Sequence, residues 1–184
     1  MHNNLLNFFY FIEEFDKDHI KKLDKRVSII YRNYFNKYNK KLILKIRDFC
    51  KNNKRKFYLA NNINLALNLN LDGVYLPAFN KHLKTKKLNV RKKFLIIGSA
   101  HSVPEIKIKE QQGVQLIFLS PIFKTPKNNK FLNPIKFNFL KLKTEKKAIA
   151  LGGINKKNMN QLKLTNINGF AAISYFRKNF KITH

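Results

Sequence analysis

A chain of 184 residues with 44% hydrophobic content closes one substantial core and is too short for two ordinary domains. Its single cysteine, Cys50, excludes an intramolecular disulfide and a cysteine-built zinc site, which fits a reducing, cytoplasmic setting. The net charge of +28 favours anionic partners, but 32 of its 38 basic residues are lysines spread along the whole chain beside 25 Asn, 17 Phe and no Trp, a set with AT-rich codons.

The apolar run from Leu5 to Ile12 has no Lys or Arg before it and Glu13-Glu14 directly after it. It reads as a first strand, Phe8–Ile12, rather than a secretory leader. No later apolar stretch approaches the roughly 18 residues that cross a membrane, so no membrane partner is expected. Seven further short runs rich in β-branched and aromatic residues follow: Val27–Arg32, Lys56–Ala60, Gly73–Leu76, Phe94–Gly98, Leu116–Leu119, Ala148–Leu151 and Gly169–Ser174. Between them lie Lys/Asn-rich stretches of helical period at Lys17–Leu23, Tyr38–Lys51, Ile63–Leu69, Val103–Gln112, Ile135–Leu142 and Lys156–Leu164. A weak helix is expected near Lys81–Leu88 and a stub after Tyr175. The clearest helix, over Lys41–Cys50, sets Leu42, Ile46 and Phe49 on one face and makes Cys50 a buried helical residue.

Eight strand and helix units with no linker or low-complexity tract predict one domain over residues 1–184, a (β/α)8 TIM barrel, with an open doubly wound sheet as the competitor. The length is small for a barrel, so the loops must be short and the fourth and eighth helices vestigial. In a barrel, ligands bind where strands end, which directs attention to four segments. After the seventh strand, Gly152-Gly153 lets the backbone approach a ligand with its N–H groups outward, before a helix that Asn155 can cap. After the eighth, Ala171-Ala172-Ile173 leads to the Ser174 hydroxyl, and the two segments together describe a phosphate cup. After the sixth, Ser120 opens a long loop in which Ser120, Thr125 and lysines such as Lys127 are candidate phosphate ligands. After the fifth, Ser99, a candidate ligand of substrate phosphate, and His101 reach the rim. His101 is the acid/base candidate because imidazole titrates near neutrality, whereas His2, His19, His82 and His184 look incidental.

These strand-end segments, in this order, resemble the thiamine-phosphate-synthase/TenI family over nearly the whole chain. The landmarks are Gly98-Ser99-Ala100-His101, Gly113, Leu119-Ser120-Pro121-Ile122-Phe123-Lys124-Thr125, Ala150-Leu151-Gly152-Gly153-Ile154 and Gly169-Phe170-Ala171-Ala172-Ile173. Leu65-Ala66-Leu67 and Leu71-Asp72-Gly73-Val74-Tyr75-Leu76 resemble the segment around strand four, with Asp72-Gly73 read as a turn. Synthases of that family join a pyrimidine methyl pyrophosphate to a thiazole phosphate and expel pyrophosphate with the help of magnesium, while TenI-type relatives tautomerise a thiazole carboxylate phosphate. The resemblance implies that the Gly152-Gly153 and Ser174 segments hold the thiazole phosphate and that Arg32 contacts pyrophosphate, so Arg32 joins the acid/base candidate His101 as the second candidate catalytic residue.

Three positions depart from the family pattern. The two magnesium-binding aspartates are here Asn61, which stays a candidate substrate ligand, and Asn80, and the pyrophosphate lysine after strand two is Tyr34. Neutral amides bind a hard cation weakly, so magnesium remains possible only where pyrophosphate itself supplies the charge, and no protein metal ligand is expected. The leading expectation is a divergent synthase acting on phosphorylated small molecules. A TenI-like isomerase, a non-catalytic binder of phosphate ligands and, last, a charge-driven nucleic-acid binder follow. No zinc-finger, RNP-type or helix-turn-helix signature supports specific nucleic-acid recognition, and the sequence sets no oligomeric state.

Overall fold

The computed structural model describes residues 7–34, 38–83, 88, 90–126 and 129–178. Eight parallel strands close on themselves in chain order, which is the expected (β/α)8 barrel. They are β1 Asn7–Ile12, β2 Val27–Tyr31, β3 Phe57–Ala60, β4 Gly73–Leu76, β5 Leu95–Ala100, β6 Leu116–Leu119, β7 Lys147–Leu151 and β8 Gly169–Ala172. The seam is the pairing of β1 with β8, from Asn7 opposite Gly169 to Tyr10 opposite Ala172.

The strands read as nearly continuous apolar runs, broken inside only by small residues such as Ser28 and Ser99, because both faces of each are buried, one against the helices and one in the lumen. In β1, Phe8, Tyr10 and Ile12 pack outward into the helix layer, and Phe9 and Phe11 point inward. The lumen is filled by Phe9, Phe11, Tyr58, Tyr75 and Phe118 with aliphatic residues between them. The rings of Phe9 and Phe118, and of Phe11 and Tyr75, lie 5.0 Å apart between centroids. Full burial of one such ring stabilises the fold by roughly 2–3 kcal/mol. Large rings let short strands fill the barrel interior, so the lumen is a packed core and not a pore.

The outer layer holds α1 Lys17–Lys22, α2 Lys40–Asn52, α3 Ile63–Asn68, α4 Val103–Gln111, α5 Asn133–Lys141, a 3-10 helix over Met159–Leu164, and α6 Ser174–Lys178. Side-chain caps start four of them: Asp16, Asn39, Asn62 and Ser102 accept from the N–H groups of His19, Leu42, Leu65 and Glu105. Cys50 is buried on α2 as expected, but the inner face of that helix is Ile43, Ile46 and Cys50, with Leu42 and Phe49 at its edge. Buried Arg55 staples the opposite end of the barrel, donating to the carbonyls of Leu23, Asp24 and Val27. Asp72 sits at that end too, accepting from Lys56 and from the Phe57 N–H, so it serves a turn far from the catalytic rim.

Several boundaries differ from expectation. Strand β5 runs two residues further, to Ala100, because its last residues still pair with Phe118 and Leu119 of β6. Strand β8 stops at Ala172, and Ser174 opens α6 instead of closing the strand. The helix expected over Lys156–Leu164 is a 3-10 helix from Met159 only, since the Asn155 carboxamide closes a turn onto the N–H groups of Lys157 and Asn158. Half of the weak helix expected near Lys81–Leu88, residues 84–87, lies outside the described residues. Among the described residues no helix is long and apolar enough to cross a membrane.

Candidate active site

All the strand ends singled out in the sequence come to one rim. On the β2 to β4 side, Arg32 follows β2 directly, and its Nη2 donates to Glu13 Oε1 at 2.5 Å, tying the ends of β1 and β2. The guanidinium carbon lies 5.6 Å from the Phe11 ring centroid and 6.0 Å from that of Tyr34. Tyr34 packs edge-on to Phe79 at 5.3 Å, and burial pushes its phenol well above the ordinary range, so it acts as a neutral wall of the rim. Phe79 leads into Asn80, whose Nδ2 donates to Asn61 Oδ1 at 2.7 Å. Arg32, Tyr34, Phe79, Asn80 and Asn61 therefore form one continuous arc.

Asn61 adopts φ of 58°, a left-handed conformation that asparagine tolerates better than most residues, and its N–H donates to the Tyr75 carbonyl. A cleft of about 420 Å³ opens here, lined by Asn61, Asn62, Asn64, Leu76, Asn80 and His82. The donor set does not fit a magnesium ion. Asn61 Oδ1 is engaged by Asn80, and Asn80 Oδ1 accepts from the His82 N–H at 3.1 Å and from Gln112 Nε2 at 3.2 Å. Both groups are uncharged, a lysine ammonium lies 2.6 Å from the Asn80 carbonyl oxygen, and the described residues hold no group of three His, Cys, Asp or Glu that could bind a metal.

On the β5 to β6 side, the Ser99 hydroxyl is buried and accepts from Tyr75 at 2.9 Å, so it belongs to the top layer of the lumen. His101 is exposed, and its Nδ1 lies 2.7 Å from the Ser120 carbonyl oxygen. A carbonyl only accepts, so Nδ1 carries the hydrogen and Nε2 is the basic nitrogen. The Glu105 carboxylate accepts from the His101 N–H at 2.6 Å and fixes the backbone beneath the ring. Ser120 is itself buried, with its hydroxyl 3.2 Å from His101 Nδ1. Thr125 is half-buried in the loop after β6, and Lys127 lies outside the described residues.

The β7 to β8 side carries Gly152 and Gly153, with φ of 95° and 72°. A Cβ on Gly152 would lie 2.7 Å from Pro121 Cβ, and one on Gly153 would lie 2.5 Å from the carbonyl oxygens of Phe123 and Lys124. The pair is thus required by both conformation and close approach of the β6 loop. That loop is sewn on by Ile122 N–H to the Leu151 carbonyl at 2.9 Å and by Phe123 N–H to the Gly152 carbonyl at 3.1 Å. The Gly153 carbonyl accepts from the carboxamides of Asn155 and Asn158. The carbonyls are occupied, whereas neither glycine N–H donates in any of the described loop, turn or cap hydrogen bonds. Exposed Ser174 begins α6 beside them, across the last strand.

Sequence reasoning missed three residues of this rim: Glu13, which holds Arg32; His82, which lines the Asn61–Asn80 cleft; and Lys109, which is fully buried on α4. A signal existed for Lys109. It falls three residues after buried Ile106, on the inner face of its helix, where an apolar residue is expected.

The family model described as thiamine monophosphate synthase matches residues 23–176 of the chain. A thiamine-phosphate synthase of Prochlorococcus marinus is 31% identical over 131 residues, which make up 70% of this chain and 38% of that protein. A provisionally assigned second thiamine-phosphate synthase of Aquifex aeolicus is 31% identical over 169 residues, covering 90% of this chain and 89% of the relative. The chain therefore spans little more than a third of the first relative and nearly all of the second. Among solved structures, the thiamine phosphate pyrophosphorylase of Pyrococcus furiosus superposes with a TM-score of 0.76 at 19% identity, over 96% of this chain and 92% of that one, a likeness of fold.

Proposed function

Because the chain belongs to the thiamine monophosphate synthase family, we propose that it joins a hydroxymethylpyrimidine pyrophosphate to a thiazole phosphate and releases pyrophosphate. The observation that carries this reading is the glycine pair Gly152-Gly153, whose carbonyls are consumed by the β6 loop and by two asparagines while their N–H groups face no loop partner. Those N–H groups and the Ser174 hydroxyl are suited to the phosphate of the thiazole. The pyrimidine then lies over the apolar rim, with its pyrophosphate toward Arg32.

The chemistry asks little more of the protein than position and charge. The bond from the pyrimidine methylene carbon to the pyrophosphate oxygen breaks, its electron pair leaves with pyrophosphate, and the thiazole nitrogen supplies the pair for the new bond. Charge builds on the leaving group, and Arg32 meets it with a guanidinium able to bind two phosphate oxygens at once. Glu13 is the competitor that pyrophosphate must displace, so it parks Arg32 in the free protein. Purified protein given both substrates should release pyrophosphate. The absence of release with and without added divalent metals would remove this reading.

His101 supports a second reading, a thiazole tautomerase. Its Nδ1–H is committed to the Ser120 carbonyl, leaving Nε2 as a proton acceptor on the rim. In that case His101→Ala stops tautomerisation and leaves binding of the thiazole phosphate intact. A binder that has lost its chemistry would show affinity for thiazole phosphate without turnover.

A further inference from the structure

Lysine is almost never fully buried without a partner, because its charge is costly to remove from water. Lys109 is fully buried all the same. Its Nζ donates to the Pro77 carbonyl at 2.7 Å, the Asn80 carbonyl at 2.6 Å and Gln112 Oε1 at 2.9 Å. Three donors thus meet three oxygens, none of them a carboxylate. Two of the three acceptors belong to one turn, Pro77–Asn80, and Gln112 returns to the same turn, donating to the Asn80 carbonyl at 3.0 Å and to Asn80 Oδ1 at 3.2 Å. The aliphatic stem reaches this place only because β5 has Gly98 beneath it, where a Cβ would come within 2.8 Å of Lys109 Cδ.

We propose that Lys109 is the positioning residue of this rim. Its internal ammonium holds the Pro77–Asn80 turn, and through Asn80 the Asn61 carboxamide, at the two positions where carboxylates would need a bound dication. An apolar residue would fill the same volume without the cost of burying a cation, so packing alone does not account for the lysine. The ammonium also places a fixed positive charge under the cleft of Asn61, Asn80 and His82, where an anionic leaving group gains from it. The kinetic consequence rests on the synthase reading; the structural one rests on geometry alone.

The test is Lys109→Met in the full chain, which keeps the stem and removes the charge, with Lys107→Met on the exposed side of the same helix as control. The spectroscopic arm follows the side-chain carboxamide resonances of Asn61 and Asn80. Both should move in Lys109→Met and stay in Lys107→Met, although Asn61 is hydrogen-bonded to Asn80 and not to Lys109. In the kinetic arm, kcat for pyrophosphate release should fall by about 10- to 100-fold while KM for the thiazole phosphate holds. Lys109→Gln, which keeps two N–H donors for the turn, should recover part of kcat and serves if the methionine variant does not fold. An unmoved Asn61 resonance, or a kcat that survives Lys109→Met intact, overturns the assignment. If no variant releases pyrophosphate, the synthase reading falls, and the carboxamide arm still decides whether Lys109 positions the rim.

Discussion

Replacing Gly153 by alanine separates conformational strain from crowding when it is set beside the same change at Gly113. Both glycines have positive φ, 72° and 78°, so both variants force an alanine into the left-handed region at a cost of roughly 1–2 kcal/mol. Around Gly113 nothing lies within 4 Å of the added carbon, and the cost ends there. Around Gly153 the new Cβ meets the carbonyl oxygens of Phe123 and Lys124 at 2.5 Å. These are backbone atoms that cannot rotate aside, and such overpacking adds roughly 1–3 kcal/mol. Gly153→Ala should therefore lose about 2–5 kcal/mol and Gly113→Ala about 1–2 kcal/mol, read as midpoint shifts in urea unfolding at unchanged slope. Losses equal within about 0.5 kcal/mol would refute the claim that the β6 loop is clamped onto the glycine pair.

Arg32→Ala should lower kcat/KM for pyrophosphate release by about 10²- to 10³-fold, and Arg32→Lys should recover only part of it because an ammonium does not grip two phosphate oxygens in one plane; full recovery by lysine would reduce Arg32 to a point charge. His101→Asn should leave pyrophosphate release within about threefold of the parent, since the joining reaction transfers no proton through the rim, and a loss of a hundredfold would shift the assignment toward proton-transfer chemistry. Burial lowers the Lys109 ammonium from its ordinary 10.5 to about 8. Between those values the unfolded chain keeps a proton that the folded chain has released, so this group's contribution to stability rises with pH across the window and is at its lowest below it. The Cys50 thiol, pushed up by burial to about 12 from 9, works in the opposite direction above pH 9. The stability gap between the parent and Lys109→Met should therefore change in the parent's favour by about 1 kcal/mol between pH 7 and pH 9, and a flat gap would contradict the burial of a charged amine.

The barrel was legible because its strands carry apolar residues on both faces, and runs such as Phe8–Ile12 and Leu116–Leu119 stand out against the Lys/Asn-rich helices between them. Strand ends were harder to read. Ser99 and Ala100 are small, and only pairing with Phe118 and Leu119 extends β5 through them. Ser174 gives the same sequence signal as the end of a strand or the start of a helix, and the α6 packing of Tyr175 and Phe176 decides it. The chemistry divides in the same way. Gly152-Gly153 was readable as a ligand-facing feature only through its place after the seventh strand, since a glycine pair elsewhere is most often an ordinary turn. The pairing of Asn61 with Asn80 joins residues 19 positions apart through a turn whose shape depends on Lys109, a contact no local pattern encodes. Lys109 itself was hidden among 32 lysines that mostly cover solvated helix faces.

In the proposed function, backbone N–H groups after β7 and the hydroxyl that opens α6 hold an anionic ester. The most direct measurement is a titration of the isotopically labelled protein with thiazole phosphate, followed through its backbone amide resonances. The amides of Gly152, Gly153 and Ser174 should shift together and saturate, and the unphosphorylated thiazole alcohol should leave them in place. Shifts scattered over the lysine-rich helices, or saturation elsewhere with the glycine amides unmoved, would contradict the account.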